Sequence, residues 1–177
     1  MIDAILSKIT ALSAEIHTSQ TEALWLLPLA IPICIWVSWS DLKFMLIPNK
    51  AVIALLIVFL IMGLFAFSPY FYAWRWSHFV IVLVLGIVIN AAGLAGAGDA
   101  KYAAAMAPFI ARADLLLIIL LFAAILPAAY VTHRIFRSIP AVKKTSGDWK
   151  SWGEVRKFPM GFALAGTLLA YLGLAIY

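Results

Sequence analysis

Charge of either sign is sparse in this chain, acidic residues are scarcer still, and cysteine occurs once. Of 177 residues 12% are charged and 66% hydrophobic, whereas soluble domains carry about 25% charged residues. The ordinary water-soluble globular domain is thereby excluded, as the mean hydropathy of +1.05 also requires. The single cysteine, Cys34, rules out an intrachain disulfide framework and a CxxC zinc site. His17, His78 and His133 are scattered with no HExxH between them, there is no GxSxG, and Cys34 has no basic neighbour in sequence. The familiar metallo-, serine and cysteine hydrolase outfits are therefore poorly represented. No internal repeat or low-complexity stretch is present, so the chain reads as one domain behind a short leading segment. Lys and Arg number 13 against 8 Asp and Glu, for a net charge of +5. In so apolar a chain this excess points to membrane topology and anionic lipid headgroups, not to nucleic acid.

What is abundant is long apolar runs. Residues 23–40, 51–67, 79–97, 115–131 and 159–177 are each apolar stretches of membrane-helix character. Pro28 and Pro32 fall inside the first, where neighbouring helices can satisfy the freed carbonyls. A shorter segment, 99–111, would be only about 20 Å long as a helix, too short to cross ~30 Å of hydrocarbon alone. These elements predict an all-α polytopic membrane protein of about six helices. Ahead of them, Ile2, Ile5, Leu6, Ile9, Leu12 and Ile16 recur at helical spacing. Residues 1–22 are expected to form an amphipathic helix on the membrane surface, the alternative being a frayed terminus. Asp3 stands where a signal peptide would have a basic cluster, so no cleaved leader is expected.

The basic residues set the orientation. With the N-terminus outside and six crossings, the inner segments 41–50, 98–101 and 132–158 hold Lys43, Lys50, Lys101, Arg134, Arg137, Lys143, Lys144, Lys150, Arg156 and Lys157. Only Lys8, Arg75 and Arg112 remain outside. The positive-inside rule then places these three basic segments in the cytoplasm and both termini outside. The fourth span is the weak point of this scheme: if it does not cross, the last two helices invert.

Acids are few enough to take singly. Asp3, Glu15 and Glu22 precede the first span, Asp148 and Glu154 lie in the basic loop, and Asp114 stands where it can cap the fifth helix. Asp41 and Asp99 differ: each stands at the same end of an apolar helix, where a carboxylate costs ~2.5–3.5 kcal/mol to insert. Taken alone, each could be an acid reaching for headgroups. As a pair facing one cavity they would share a proton and titrate together. One could take a proton from water while the other protonates the substrate, which hydrolyses a peptide bond without metal, Ser or Cys. Gly96 and Gly98 precede Asp99, offering unusual backbone angles and close approach of an extended substrate, or ordinary small-residue helix packing.

Asp41 followed by Ile47-Pro48-Asn49, then Gly96-Ala97-Gly98-Asp99-Ala100-Lys101 after two further spans, resembles the type IV prepilin peptidases, which are GxGD intramembrane aspartic peptidases. The similarity is closest to the short Tad/Cpa-type members. The resemblance implies that Asp41 and Asp99 are the catalytic aspartates and that Gly96 and Gly98 are the GxGD glycines. Lys101 matches the basic residue two positions on, where it would hold Asp99 ionised or snorkel to headgroups. Pro48 and Asn49 match a turn entering the second helix. Phe158-Pro159-Met160-Gly161 resembles the family's final-helix element, with Pro159 and Gly161 structural. Longer members carry a cytoplasmic domain with paired CxxC zinc ligands and methylate the cut product; this chain lacks those cysteines.

The expected activity is cleavage of a prepilin leader at the cytoplasmic membrane face by residues 23–177, with prepilin and membrane lipids as partners and no metal or organic cofactor implied. The competing reading is a non-enzymatic component, a small transporter or a pilus assembly scaffold, using Asp41 and Asp99 as proton or ion sites.

Overall fold

The computed structural model describes residues 16–153 and 158–177. Most of the expected surface helix over 1–22 lies outside the described residues; 16–19 are non-helical, and 20–22 already belong to the first long helix. That helix, α1 (Gln20–Phe44), starts where Ser19 and Glu22 form a reciprocal capping box. It runs unbroken through Pro28 and Pro32. Then follow α2 (Asn49–Ala66), α3 (Pro69–Ala91), α4 (Ala97–Met106), α5 (Leu115–Ser138), the short α6 (Pro140–Thr145) and α7 (Lys150–Gly153), and α8 (Met160–Leu174). Among the described residues there is no strand. The chain is an all-α polytopic membrane protein.

Helices α1, α2, α3 and α5 are long and apolar enough to cross a bilayer, and α8 is a shorter apolar helix. Their outward faces carry bare hydrocarbon: Leu64, Phe65, Val88 and Leu116 are each more than 60% exposed. Such a surface would aggregate in water and is what lipid tails require. The inward faces meet in a core built on Leu26, Leu55, Phe59, Phe109, Leu168 and Tyr171. Helix α1 packs against α8, α2 and α7, while α3 lies on α4 and α5 on α8.

The fourth segment is shorter than the others because its helix stops early. Helix α4 has 10 residues, about 15 Å of rise. It continues in two single 3-10 turns, Ala107–Phe109 and Arg112–Asp114. With Tyr102, Ala104 and Ala105 fully buried, it behaves as an internal strut between α2, α3 and α8.

Asp114 corrects one expectation. It occupies the N-cap position of α5 but makes no side-chain capping bond there. Its carboxylate turns inward, accepting bonds from the backbone N–H groups of His17 at 3.0 Å and Thr18 at 3.3 Å and from the Tyr171 hydroxyl at 2.6 Å. His17 Nδ1 lies 2.8 Å from the same carboxylate. A side chain read as a local cap is thus a tether between the lead-in to α1, the start of α5 and the end of α8. Asp114→Ala would strand three donors, each costing about 1–3 kcal/mol. A drop of about 5–10 °C in the thermal midpoint of the detergent-solubilised protein is expected; an unchanged midpoint would show that the tether holds nothing.

Candidate active site

Helix α1 ends one turn beyond Asp41, which is 5% exposed. The helix closes with Met45 in the left-handed conformation, φ 54°, its N–H bonded to the Asp41 carbonyl at 2.9 Å. A non-glycine residue in this region is uncommon, and Ser40 helps fix the turn by donating to the Leu46 carbonyl at 2.9 Å. Pro48, extended at φ −67°, then serves as N-cap of α2, and Asn49 is that helix's first residue. The chain therefore doubles back at once, leaving Asp41 and Asn49 around the same opening.

Asp99 is placed by a second reversal. Helix α3 ends in a turn through Gly93, φ 73°, with Leu94 N–H bonded to the Ile89 carbonyl at 3.1 Å, the αL termination that glycine permits. Asn90 holds the loop by donating to the Ala95 carbonyl at 2.8 Å. Gly96 is the N-cap of α4, and Asp99 sits in that helix's first turn.

The two reversals meet around a cavity of about 450 Å³, lined among others by Asp41, Asn49, Gly96, Gly98, Asp99 and Lys101. Of Asp41, Pro48, Asn49, Gly96, Gly98, Asp99 and Lys101, all singled out from the sequence, Pro48 alone does not line it; Pro159 and Gly161, at the start of the last helix, do not line it either. The carboxylates are near enough that the charge of Asp99 acts on Asp41.

Asp41 has a further partner that spacing could not reveal. Gly161 N–H, at the start of α8, donates to Asp41 Oδ2 at 2.7 Å, and the backbone of Phe162 makes a second bond. The N-cap of α8 is Pro159, which offers no side-chain acceptor. A carboxylate from a helix 120 residues earlier thus does the capping, and the positive end of α8 faces it. Asp99 stands in the first turn of α4, so two helix N-termini converge on this pair of acids.

The glycines serve space more than backbone freedom. Gly96 has an ordinary φ of −68°. A Cβ there would lie 2.7 Å from Asp99 Oδ2. A Cβ on Gly98 would meet Ile47 at an ordinary 3.5 Å. On Gly161 it would come within 2.8 Å of Ile47 Cδ1 and 2.9 Å of Asp41 Oδ2. Lys101 Nζ donates to Asn49 Oδ1 at 3.4 Å, linking α4 to the start of α2 across the cavity mouth.

A larger cleft, about 620 Å³, lies elsewhere, between α3, α4 and α5, and its walls are almost wholly apolar, with Ile81, Leu85, Met106, Ile118 and Phe122 among them. It holds no carboxylate, so the chemistry of the acids has no counterpart there.

No curated protein and no solved structure matches the chain. A family model does: that of the type IV leader peptidase family matches residues 29–132, a stretch that spans α1 to α5 and contains Asp41, the Pro48-Asn49 turn and the Gly96–Lys101 motif. Matching more than half of the chain, and doing so across the two reversals that build the cavity, it makes this protein a member of the type IV leader peptidase family.

Proposed function

We propose that the chain is an aspartic endopeptidase that removes the leader of a prepilin at the cytoplasmic face of the inner membrane, with Asp41 and Asp99 as its catalytic pair. The observation that carries this reading is the convergence of both carboxylates on one cavity, where the charge of Asp99 acts on Asp41. Two acids so placed hold one proton between them. Asp41 accepts two backbone N–H bonds, which hold its carboxylate in place; we give it the part of the base and leave the shared proton on Asp99.

The reaction follows from that asymmetry. Asp41 takes a proton from a water molecule as its oxygen attacks the scissile carbonyl carbon. Asp99 gives its proton to the carbonyl oxygen, forming a neutral gem-diol. When the C–N bond breaks, a diol hydroxyl returns its proton to Asp99, and Asp41 delivers the one it carries to the departing amine. The pair ends with one proton, as it began. The helix N-termini facing the acids stabilise their residual negative charge.

The test is direct. Purified protein in lipid vesicles should convert a cognate prepilin to a product with a new N-terminus, and cells lacking the protein should accumulate uncut prepilin. If the correctly inserted protein leaves prepilin intact, and cells without it still process pilin, the acids belong to an ion-conducting or scaffolding membrane component instead.

Two substitutions probe the setting of the pair. Gly96→Ala places a methyl against the Asp99 carboxylate and should lower the cleavage rate about 10- to 100-fold, whereas Gly98→Ala, with room for its methyl, should stay within a few-fold of the parent; equal effects would contradict the spatial role given to Gly96. Cys34 lies buried between α1 and α4 with its Sγ 3.3 Å from the Tyr102 hydroxyl. A serine keeps that hydrogen bond, so Cys34→Ser should cleave at near-parental rate, and a dead but inserted Cys34→Ser protein would give the thiol a part in the reaction.

A further inference from the structure

Three polar atoms between residues 133 and 151 are buried with no hydrogen-bond partner among the described residues: His133 Nε2, Arg137 Nη1 and Ser151 Oγ. His133 is 4% exposed and Ser151 fully buried. Residues 133 and 137 are one turn apart on α5 and share a face, and the charge of Arg137 acts on His133. Ser151 precedes Trp152, whose ring stacks on His133 with centroids 4.8 Å apart. Trp149 stacks on Trp152 in turn, at 5.6 Å and nearly parallel, and Trp152 Nε1 donates to the Ser146 carbonyl at 2.7 Å. The aromatic stack thus brings α7 against the end of α5, so the residues that carry the three atoms lie in one region of the fold.

An unpartnered buried polar atom costs about 1–3 kcal/mol. Three in one place describe a site shaped for something. Guanidinium and hydroxyl are both donors, and imidazole can present Nε2–H. The complement to three donors around a fixed cation is an anion with several acceptor oxygens, and the planar fork of arginine suits phosphate. The local balance is positive: Lys144 and Lys150 lie in the same stretch, and its acid, Asp148, is 3.4 Å from Lys43. That ion pair also fixes the site's level. Lys43 is two residues beyond Asp41, so the site lies on the membrane face that holds the two acids, where tryptophans and headgroups mingle.

We propose that His133, Arg137 and Ser151 form a binding site for a phosphate group, supplied by the headgroup of an anionic phospholipid in the adjoining leaflet. The lipid would brace α7, which packs on α1, near the Asp148–Lys43 ion pair. The site stands whether or not the acids cleave peptides.

The experiment uses the full chain in neutral detergent, titrated with phosphatidylglycerol, phosphatidylcholine or inorganic phosphate, and read by native mass spectrometry and thermal midpoint. One phosphatidylglycerol should bind in preference to phosphatidylcholine and raise the midpoint. Arg137→Gln should weaken that binding about tenfold, whereas Lys50→Gln, which removes an exposed charge elsewhere on the chain, should not. Ser151→Ala guards against a simple folding defect: without lipid it removes an unpartnered hydroxyl and should leave the midpoint unchanged or higher, while reducing the gain on adding phosphatidylglycerol. Equal affinity for the two lipids, or equal losses in Arg137→Gln and Lys50→Gln, would overturn the proposal. Saturable binding of inorganic phosphate that displaces phosphatidylglycerol and is lost in Arg137→Gln would uphold the phosphate site and overturn its lipid source.

Discussion

Asp41→Asn and Asp99→Asn should each lower prepilin cleavage by about 10³- to 10⁴-fold, roughly 4–5.5 kcal/mol of transition-state stabilisation, with membrane insertion unchanged. The amide is close in shape to the carboxylate, so the cause would be chemical. Asparagine at 41 can still present a carbonyl oxygen to Gly161 N–H, preserving the cap on α8, but it cannot accept a proton from water. Asparagine at 99 leaves the other acid in place but removes the proton held for the substrate oxygen. Because the two act as one unit, the double variant should be little worse than either single one. The measurement is initial rate of leader release in vesicles of matched protein content. Cleavage within tenfold of the parent in either variant would dismiss the two acids as a catalytic pair.

Gly161→Ala should reduce cleavage about 100-fold although residue 161 carries no reactive group. Its methyl would enter a space already filled by Ile47 Cδ1 and Asp41 Oδ2. Overpacking of this kind costs about 1–3 kcal/mol, and the softest response is rotation of the Asp41 carboxylate out of line with its backbone donors. A displacement of about 1 Å at a reacting group is enough for a 100-fold loss. Gly173→Ala, on the same helix and with nothing within 4 Å of a new Cβ, is the control and should cleave normally. The loss should fall on kcat and not on insertion or abundance. A Gly161→Ala protein with parental kcat would mean that the contact with Asp41 is incidental.

The legible part of this protein is the part governed by local composition. Long apolar runs with few charges can only be membrane helices, and the observed α1, α2 and α5 start within three residues of the runs beginning at 23, 51 and 115, whereas α3 starts ten residues before the run at 79 and ends six residues before its close. The displacement has a physical cause: Ser19 with Glu22, and Ser68 before Pro69, are good helix starts, so helices extend past the hydrocarbon into polar residues. The segment 99–111 was recognisable as too short to span alone for the same reason of length. The Asp41 and Gly96–Lys101 motifs stood out because acids are so rare here that each needs a reason.

Contacts between distant residues were not legible. Gly161 was identifiable as part of a Pro-Met-Gly element, yet nothing in its neighbours says that its N–H meets an acid 120 positions away. Asp114 has the sequence context of a cap, and only the folded chain turns it toward His17, Thr18 and Tyr171. Lys101 could be assigned either to Asp99 or to headgroups, and its ammonium bonds Asn49. A hydrogen bond depends on where two helices end relative to each other, which hydropathy does not encode.

Composition alone decided the solvent, the helices and the short roster of acids, because burial of apolar surface and the cost of buried charge act on each segment separately. The meeting of Asp41 and Asp99 on one cavity, the capping of α8 by Asp41 and the space kept by Gly96 and Gly161 were decided by packing. Such features exist only once α1, α4 and α8 have converged, and their geometry is set to tenths of an ångström by side chains that no linear pattern brings together.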